Sequence, residues 1–194
     1  INVGLVGSEM CIRDSPTPFT LDPFQEWLIK EILQRREGKY LYRQFVLSMG
    51  RQNSKSTIAV ALALFHMVTR LDAQAFCLAS NREQAGIVYS RLAQAIKHTP
   101  DIQDRFVRTT ETRGLLGKSG GFFRAMASKG AALQGYSLTQ VICDELHITK
   151  PEVWDAVVIG AGQQPNSQVI GLTKAGSASS ELLIRLYDRV KAQS

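Results

Sequence analysis

Cysteine is scarce and widely spaced. Cys11, Cys77 and Cys143 are the whole complement, and no two of them have the separation of a zinc site or a thiol redox pair. A disulfide framework and a structural metal finger are therefore excluded as organising principles. Cys77 and Cys143 sit inside apolar runs, where a cysteine serves as a small buried hydrophobe, and a reducing compartment is expected. Long apolar segments are missing too. The longest, 58–68, is interrupted by His66 and is too short to span a bilayer. The start has no basic segment of the kind that opens a secretory signal. Low-complexity tracts and internal repeats are absent, which excludes bulk disorder. A soluble intracellular protein is the expectation, and 194 residues suffice for one sizeable domain.

Acidic residues are in the minority, 17 against 23 Lys and Arg, so the net charge is +6 and the isoelectric point near 9.4. That balance favours a polyanionic partner, nucleic acid or nucleotide. The cations are scattered along the chain, a pattern shared with ordinary solvated basic surfaces. The opening "INVGLVGSEMCIRDS" has neither helical nor strand periodicity, and residues 1–15 are set apart as a candidate non-native leader. The domain is expected to occupy 16–194 and to be cut short at its C-terminus.

Beyond that leader, strands and helices alternate. Asp22-Pro23 has the form of an N-cap with proline at the first helical position; Phe24, Trp27, Leu28 and Ile32 then define a helix face running to about Arg36. A short strand is expected at 44–49, and a helix with Ile58, Ala61, Leu62 and Phe65 on one stripe. Another strand follows at 74–80, then an amphipathic helix at 81–98 with Ala85, Val88, Leu92 and Ile96 inward. Glycines and short apolar pieces from Phe106 to Ala127 read as a β meander. Strands at 139–145 and 167–172 flank a helix that begins after Pro151. A last helix sets Leu183, Leu186, Tyr187 and Val190 on one face. The pattern predicts an α/β fold: a mostly parallel sheet flanked by helices, with a small β meander insertion; the P-loop NTPase type is expected from the loop motif that follows. Trp27 and Trp154 both read as core residues.

The most telling absence is a glycine. "SMGRQNSKSTIAVALALF", 48–65, has the outline of a phosphate-binding loop between a strand and a helix, yet Met49 and Ser54 stand where the motif G-x-x-x-x-G-K-[ST] has glycine. Lys55 would neutralise β/γ-phosphates and the Ser56 hydroxyl would join a magnesium shell. The plain alternative is a lysine that caps a turn. The second stretch is "QVICDELH", 140–147, an apolar strand ending in two acids. Asp144 could hold magnesium through water, and Glu145 could polarise an attacking water. Both stretches fall at the carboxyl ends of strands, where open α/β sheets bind ligands.

Taken in order, "PFQEWLI", "GRQNSKST", "ASNREQA", "VICDELH" and "LTKAG" resemble the ATPase domain of the large terminase subunit of tailed bacteriophages. The resemblance covers about residues 18–194. It implies an ATPase that drives viral double-stranded DNA into a procapsid, with ATP and Mg2+ as cofactors. It also implies assembly as a homo-oligomeric ring on a portal protein with a small terminase subunit, in the host cytoplasm and away from membranes. By the same resemblance Gln25 would meet the adenine edge, and Arg51 would stabilise charge on the γ-phosphate. Residues Gln52, Asn53, Ser54, Lys55, Ser56 and Thr57 would wrap the phosphates, Ser56 and Asp144 would hold the metal, Glu145 would activate water, and Thr173 would sense the γ-phosphate. Gln25 also fits a capping box three residues after Asp22. Ser54 departs from the family's glycine. His147 is read as a packing residue. Lys118, Arg124 and Lys129 are candidates for DNA contact, with solvated surface the plainer reading. The family's nuclease domain is expected to be absent, since such a site needs a cluster of carboxylates. Two alternatives stay open: a DExH-type helicase domain, and a catalytically weak P-loop module that binds nucleic acid.

Overall fold

Alternating strand and helix signals should give a sheet covered on both faces, and the computed structural model has that form. It describes residues 21–50, 54–108, 114–128, 133 and 135–192. The elements run α1 (Pro23–Ile32), β1 (Arg35–Arg36), β2 (Lys39–Tyr40), β3 (Gln44–Ser48), α2 (Lys55–Thr69), β4 (Gln74–Ala79) and α3 (Arg82–Lys97). They continue with α4 (Pro100–Gln103), β5 (Phe106–Arg108), β6 (Gly114–Gly117), β7 (Phe122–Ala127) and β8 (Gln140–Cys143). A 3-10 turn (Leu146–Ile148), α5 (Pro151–Gly162), β9 (Gln168–Thr173) and α6 (Glu181–Lys191) complete them. Residues 1–15, set apart as a leader, lie outside the described residues.

Seven strands form one sheet in the order β3-β9-β8-β4-β7-β6-β5. The first five are parallel, so their carboxyl ends share one edge; β6 and β5 turn back antiparallel. The expected meander is therefore continuous with the main sheet, because β7 pairs in parallel with β4 from Gln74↔Phe122 to Ala79↔Ala127.

Alternation along the strands sorts the core into two layers. Ala75, Cys77, Ile142, Ile170 and Leu172 face α1, α2 and α3, meeting Ile29, Ile58, Leu62, Val88 and Leu92. Phe76, Leu78, Val141, Cys143 and Val169 face the other way, against Trp154 and Val157 of α5 and Leu182 of α6. The α3 stripe is as expected, with Ala85, Val88, Leu92 and Ile96 all buried. Helix α2 is buried nearly all round, because it lies between the sheet and two other helices; Ala61 and Phe65 of its expected stripe are only half-buried.

Three expectations need correction. Helix α1 stops at Ile32, and residues 35–40 form a hairpin instead of a last helical turn. Its two central residues are left-handed, Glu37 at φ 52 and Gly38 at φ 77, the geometry that matches strand twist in a two-residue hairpin. The inward face of α1 is Gln25, Leu28, Ile29 and Ile32, an i, i+3, i+4, i+7 stripe hidden from an apolar search by one glutamine. Phe24 and Trp27 face outward, and Trp27 is 62% exposed, unlike Trp154 at 2%. Finally, Tyr187 and Val190 of α6 are exposed. They line, with Leu183, Leu186, Gln44 and Val46, a groove of about 450 Å³ beside β3.

Candidate active site

The carboxyl edge gathers the ends of β3, β9, β8 and β4. Strand β9 lies between the strand leading to Lys55 and the strand leading to Asp144. The chain leaves β3, crosses by α2 to β4, and so bypasses β9 and β8. That reversal opens a crevice of the kind in which α/β sheets take ligands.

On the β3 side, Ser54 precedes α2 in the left-handed conformation, φ 57 and ψ 27. This is the backbone state for which glycine is the usual residue, and it explains why a glycine was missed there. Ser54 O accepts the Ile58 N–H at 3.0 Å, so the helix starts at once. Lys55, Ser56 and Thr57 form its first turn; Thr57 is buried, Lys55 and Ser56 half-buried. The free N–H groups of such a turn, with the helix dipole, favour an anion. The Lys55 ammonium folds back and donates to Met49 O (3.1 Å) and Gly50 O (2.7 Å). The lysine thus caps its own loop, the contact that the plain alternative describes. Arg51, Gln52 and Asn53 lie outside the described residues.

On the β8 side, Asp144 extends the sheet by donating its N–H to Leu78 O (2.8 Å). Its Oδ1 accepts the Glu145 N–H at 2.9 Å. Burial pushes the Asp144 carboxyl up from its ordinary pKa; the Glu145 N–H works against that, and so does the positive charge of Lys55. Lys55 follows β3 and Asp144 follows β8, so both stand at the carboxyl edge with β9 alone between their strands. Glu145 is itself left-handed, φ 55 and ψ 49, and its Oε2 accepts from Ser80 Oγ at 3.1 Å. Ser80, just past the end of β4, lies inside the stretch "ASNREQA" but is given no role from the sequence.

Thr173 closes β9 between these groups. It is 1% exposed and pairs in register with Ser48, and its carbonyl accepts the Met49 N–H at 3.0 Å. Its hydroxyl donates to Lys174 O (2.8 Å) and accepts the backbone N–H of His147 (3.1 Å). His147, expected from the sequence to be a packing residue, therefore stands in the site. Burial and the Lys174 charge lower its pKa, while Glu145 and Asp144 oppose them. Gln25 is 1% exposed, and its Oε1 accepts the Asp22 N–H at 3.0 Å, which is the capping-box contact. Arg124 donates to Tyr136 Oη (2.6 Å) and stacks near Phe122. Lys129 lies outside the described residues.

Residues 23–192 match the family model for the terminase large subunit ATPase domain. The chain belongs to that family. It is 26% identical over 184 residues to the terminase large subunit of Enterobacteria phage HK97, a match that takes in 91% of this chain and 36% of the relative. The crystal structure of the HK97 bacteriophage large terminase superposes with a TM-score of 0.81 at 25% identity, over 95% of this chain and 40% of that one. The ATPase domain of the Thermus phage P74-26 large terminase gives 0.65 at 18% identity, over 84% of this chain and 68% of that one, a likeness of fold. The chain thus spans about two fifths of the HK97 protein's length. A P-loop-type ATPase domain of a phage terminase is the fold and family of this chain.

A magnesium ion would suit the donors present. Magnesium is usually held by one or two carboxylates plus substrate phosphates and water, not by an all-protein cage. The crevice offers one half-buried carboxylate whose charged form is poorly supported, Asp144, across from the hydroxyl-bearing first turn of α2. Among the described residues no group of three or more His, Cys, Asp or Glu forms a metal cluster.

Proposed function

We propose that this chain is the ATP-hydrolysing part of a motor that moves viral double-stranded DNA into a procapsid. The observation that carries the reading is that Lys55 and Asp144 follow β3 and β8 at one edge of the sheet, with only β9 between them; the ammonium's charge there favours the ionised carboxylate against burial. ATP would seat its phosphates on the first turn of α2. Lys55 would exchange two loop carbonyls for β/γ-phosphate oxygens, and Ser56 and Asp144 would hold magnesium, which supplies charge neutralisation when bound. Glu145, fixed from both sides, would orient water and take its proton. The oxygen–phosphorus bond forms at the γ-phosphate as the bond to the β-phosphate oxygen breaks, leaving ADP and phosphate.

The remaining assignments rest on membership of the family. Arg51 would stabilise charge on the γ-phosphate, Gln52, Asn53, Ser54 and Thr57 would complete the loop, and Thr173 would sense the γ-phosphate. Gln25 would meet adenine only after leaving its cap. DNA, a portal protein, a small terminase subunit and a ring of like subunits are the expected partners, in the cytoplasm of an infected bacterium. No helix among the described residues is long and apolar enough to cross a membrane. We assign no nuclease activity to these residues.

Phosphate release from Mg-ATP tests the reading. Lys55→Ala and Glu145→Gln should each lower turnover about 100-fold or more with unchanged circular dichroism. Wild-type-like turnover in both folded variants would overturn it.

A further inference from the structure

His147 is absorbed by none of the roles above, yet it joins two parts of the site. Its backbone N–H lies 3.1 Å from Thr173 Oγ1 and its ring Nδ1 3.3 Å from the same oxygen. The Thr173 hydroxyl proton goes to Lys174 O at 2.8 Å. A hydroxyl has one proton to give and two lone pairs to receive. With the proton spent on Lys174, the ring nitrogen is satisfied only if Nδ1 itself carries a proton and donates. Backbone N–H and ring N–H then fill both lone pairs.

The contact spans the gap between neighbouring strands. Glu145 holds a left-handed conformation, φ 55, which a side-chain-bearing residue keeps only when its surroundings fix it. Upstream it is held by Asp144 Oδ1 and Ser80 Oγ, just past the ends of β8 and β4. Downstream the 3-10 turn sits on β9. Leu146 packs over Gly171, where an added Cβ would come within 2.7 Å of Leu146 Cδ2, and His147 grips Thr173. Thr173 in turn receives the Met49 N–H from the phosphate-loop strand. Resting on the ATPase reading above, we infer that His147 is a positioning residue, whose Nδ1–H and backbone N–H on Thr173 Oγ1 hold the Glu145 turn in register with the phosphate loop.

Two measurements test this on the whole chain. Imidazole 15N NMR should find His147 in the Nδ1–H tautomer, against the usual Nε2–H preference, and Thr173→Val should abolish it. In Mg-ATP turnover, His147→Ala should lower kcat about ten- to a hundredfold with KM unchanged. His147→Asn, whose amide N–H reaches the same oxygen, should recover most of the loss. Adding His147→Ala to Thr173→Val should cost nothing more. An Nε2–H tautomer indifferent to Thr173→Val would overturn the inference, as would unchanged kcat in His147→Ala or a loss confined to KM. If the wild type turns over no ATP while Lys55→Ala binds nucleotide as it does, the ATPase reading falls, and the tautomer alone decides the contact.

Discussion

Two cations sit on backbone carbonyls at opposite edges of the same sheet, and they do different work. At the amino edge, Arg43 Nη2 lies 3.1 Å from Ala161 O, 3.4 Å from Gly162 O, 2.9 Å from Gln164 O and 2.7 Å from Ser167 Oγ. It closes the end of α5, where carbonyls are orphaned and the dipole favours positive charge. At the carboxyl edge, Lys55 meets two loop carbonyls, with Asp144 within its field and a helix N-terminus behind it. Arg43 places one nitrogen of a rigid guanidinium among a fixed set of acceptors; Lys55 is a point charge on a flexible stem, free to change partners. The same division holds for strain. Asn166, φ 60, sits at the amino edge, where its Oδ1 accepts the Tyr40 N–H (2.8 Å) and its Nδ2 donates to Gly38 O (3.2 Å). Ser54 and Glu145, equally left-handed, stand in the crevice. One edge fastens the fold, and the other holds groups poised to rearrange.

Buried titration offers the largest way to break the comparison. At the amino edge, His66 is 1% exposed, its Nε2 2.8 Å from Thr139 Oγ1, and its Nδ1 has no partner among the described residues. Burial, with the charges of Arg70 and Arg35, lowers its pKa from 6.5 to about 3. Below pH 6.5 the unfolded chain takes up a proton that the native state refuses, so stability falls as pH drops towards 3. The loss should approach about 4–5 kcal/mol. His66→Gln, which keeps a donor for Thr139, should flatten that slope in denaturant titrations across pH 6.5 to 4. An unchanged slope would assign the acid sensitivity elsewhere.

A smaller effect separates Asn166's two functions. Asn166→Ala loses both hydrogen bonds and the residue type that tolerates a left-handed backbone, and should cost about 2 kcal/mol. Asn166→Gly keeps the backbone and loses only the bonds, so it should cost about half as much by chemical denaturation. Neither should alter nucleotide affinity, because the hairpin is at the far edge.

Asp144 reverses the sign seen at His66. Its folded pKa is raised by burial, so stability falls as pH climbs from the unfolded value through the folded one, and the ionised carboxylate costs the fold stability at neutral pH. Asp144→Asn should therefore raise Tm at pH 7 while removing the magnesium dependence of nucleotide binding. A lower Tm would mean that the carboxylate stabilises the fold instead of serving a cation.

What could be read from the sequence was whatever the pleat or the helix repeat writes out plainly. The α3 stripe, the two apolar strands 140–143 and 168–173, and the shared edge of Lys55 and Asp144 follow from periodicity and from both motifs trailing strands. The hairpin at 35–40 was missed because Glu37 occupies a left-handed position without the usual Asn or Asp signal. The outward turn of Trp27 was missed because a glutamine takes its place on the buried stripe. Ser80 and His147 lie inside the family stretches, yet nothing in them marks a role, since their importance comes from strands that become neighbours only on folding. The roles assigned along the loop rest on the family and await the variants described above.

The finest test compares the two strained positions of the crevice with each other. Ser54 and Glu145 have nearly the same φ, 57 and 55, so glycine relieves a similar cost at each. At Ser54 that relief should stabilise the fold by about 1 kcal/mol, less the entropy glycine adds to the unfolded chain. It should also tighten Mg-ATP binding, because a bare backbone lets phosphate oxygens approach the N–H groups of the first turn more closely. At Glu145 the same substitution removes the only side chain proposed to orient water, so turnover should vanish whatever the fold gains. If Ser54→Gly instead weakened binding with the fold intact, the serine side chain would have to be a ligand in its own right. Ser54→Ala, which keeps the backbone cost and lacks the hydroxyl, distinguishes that case by losing affinity where a purely conformational role predicts none lost.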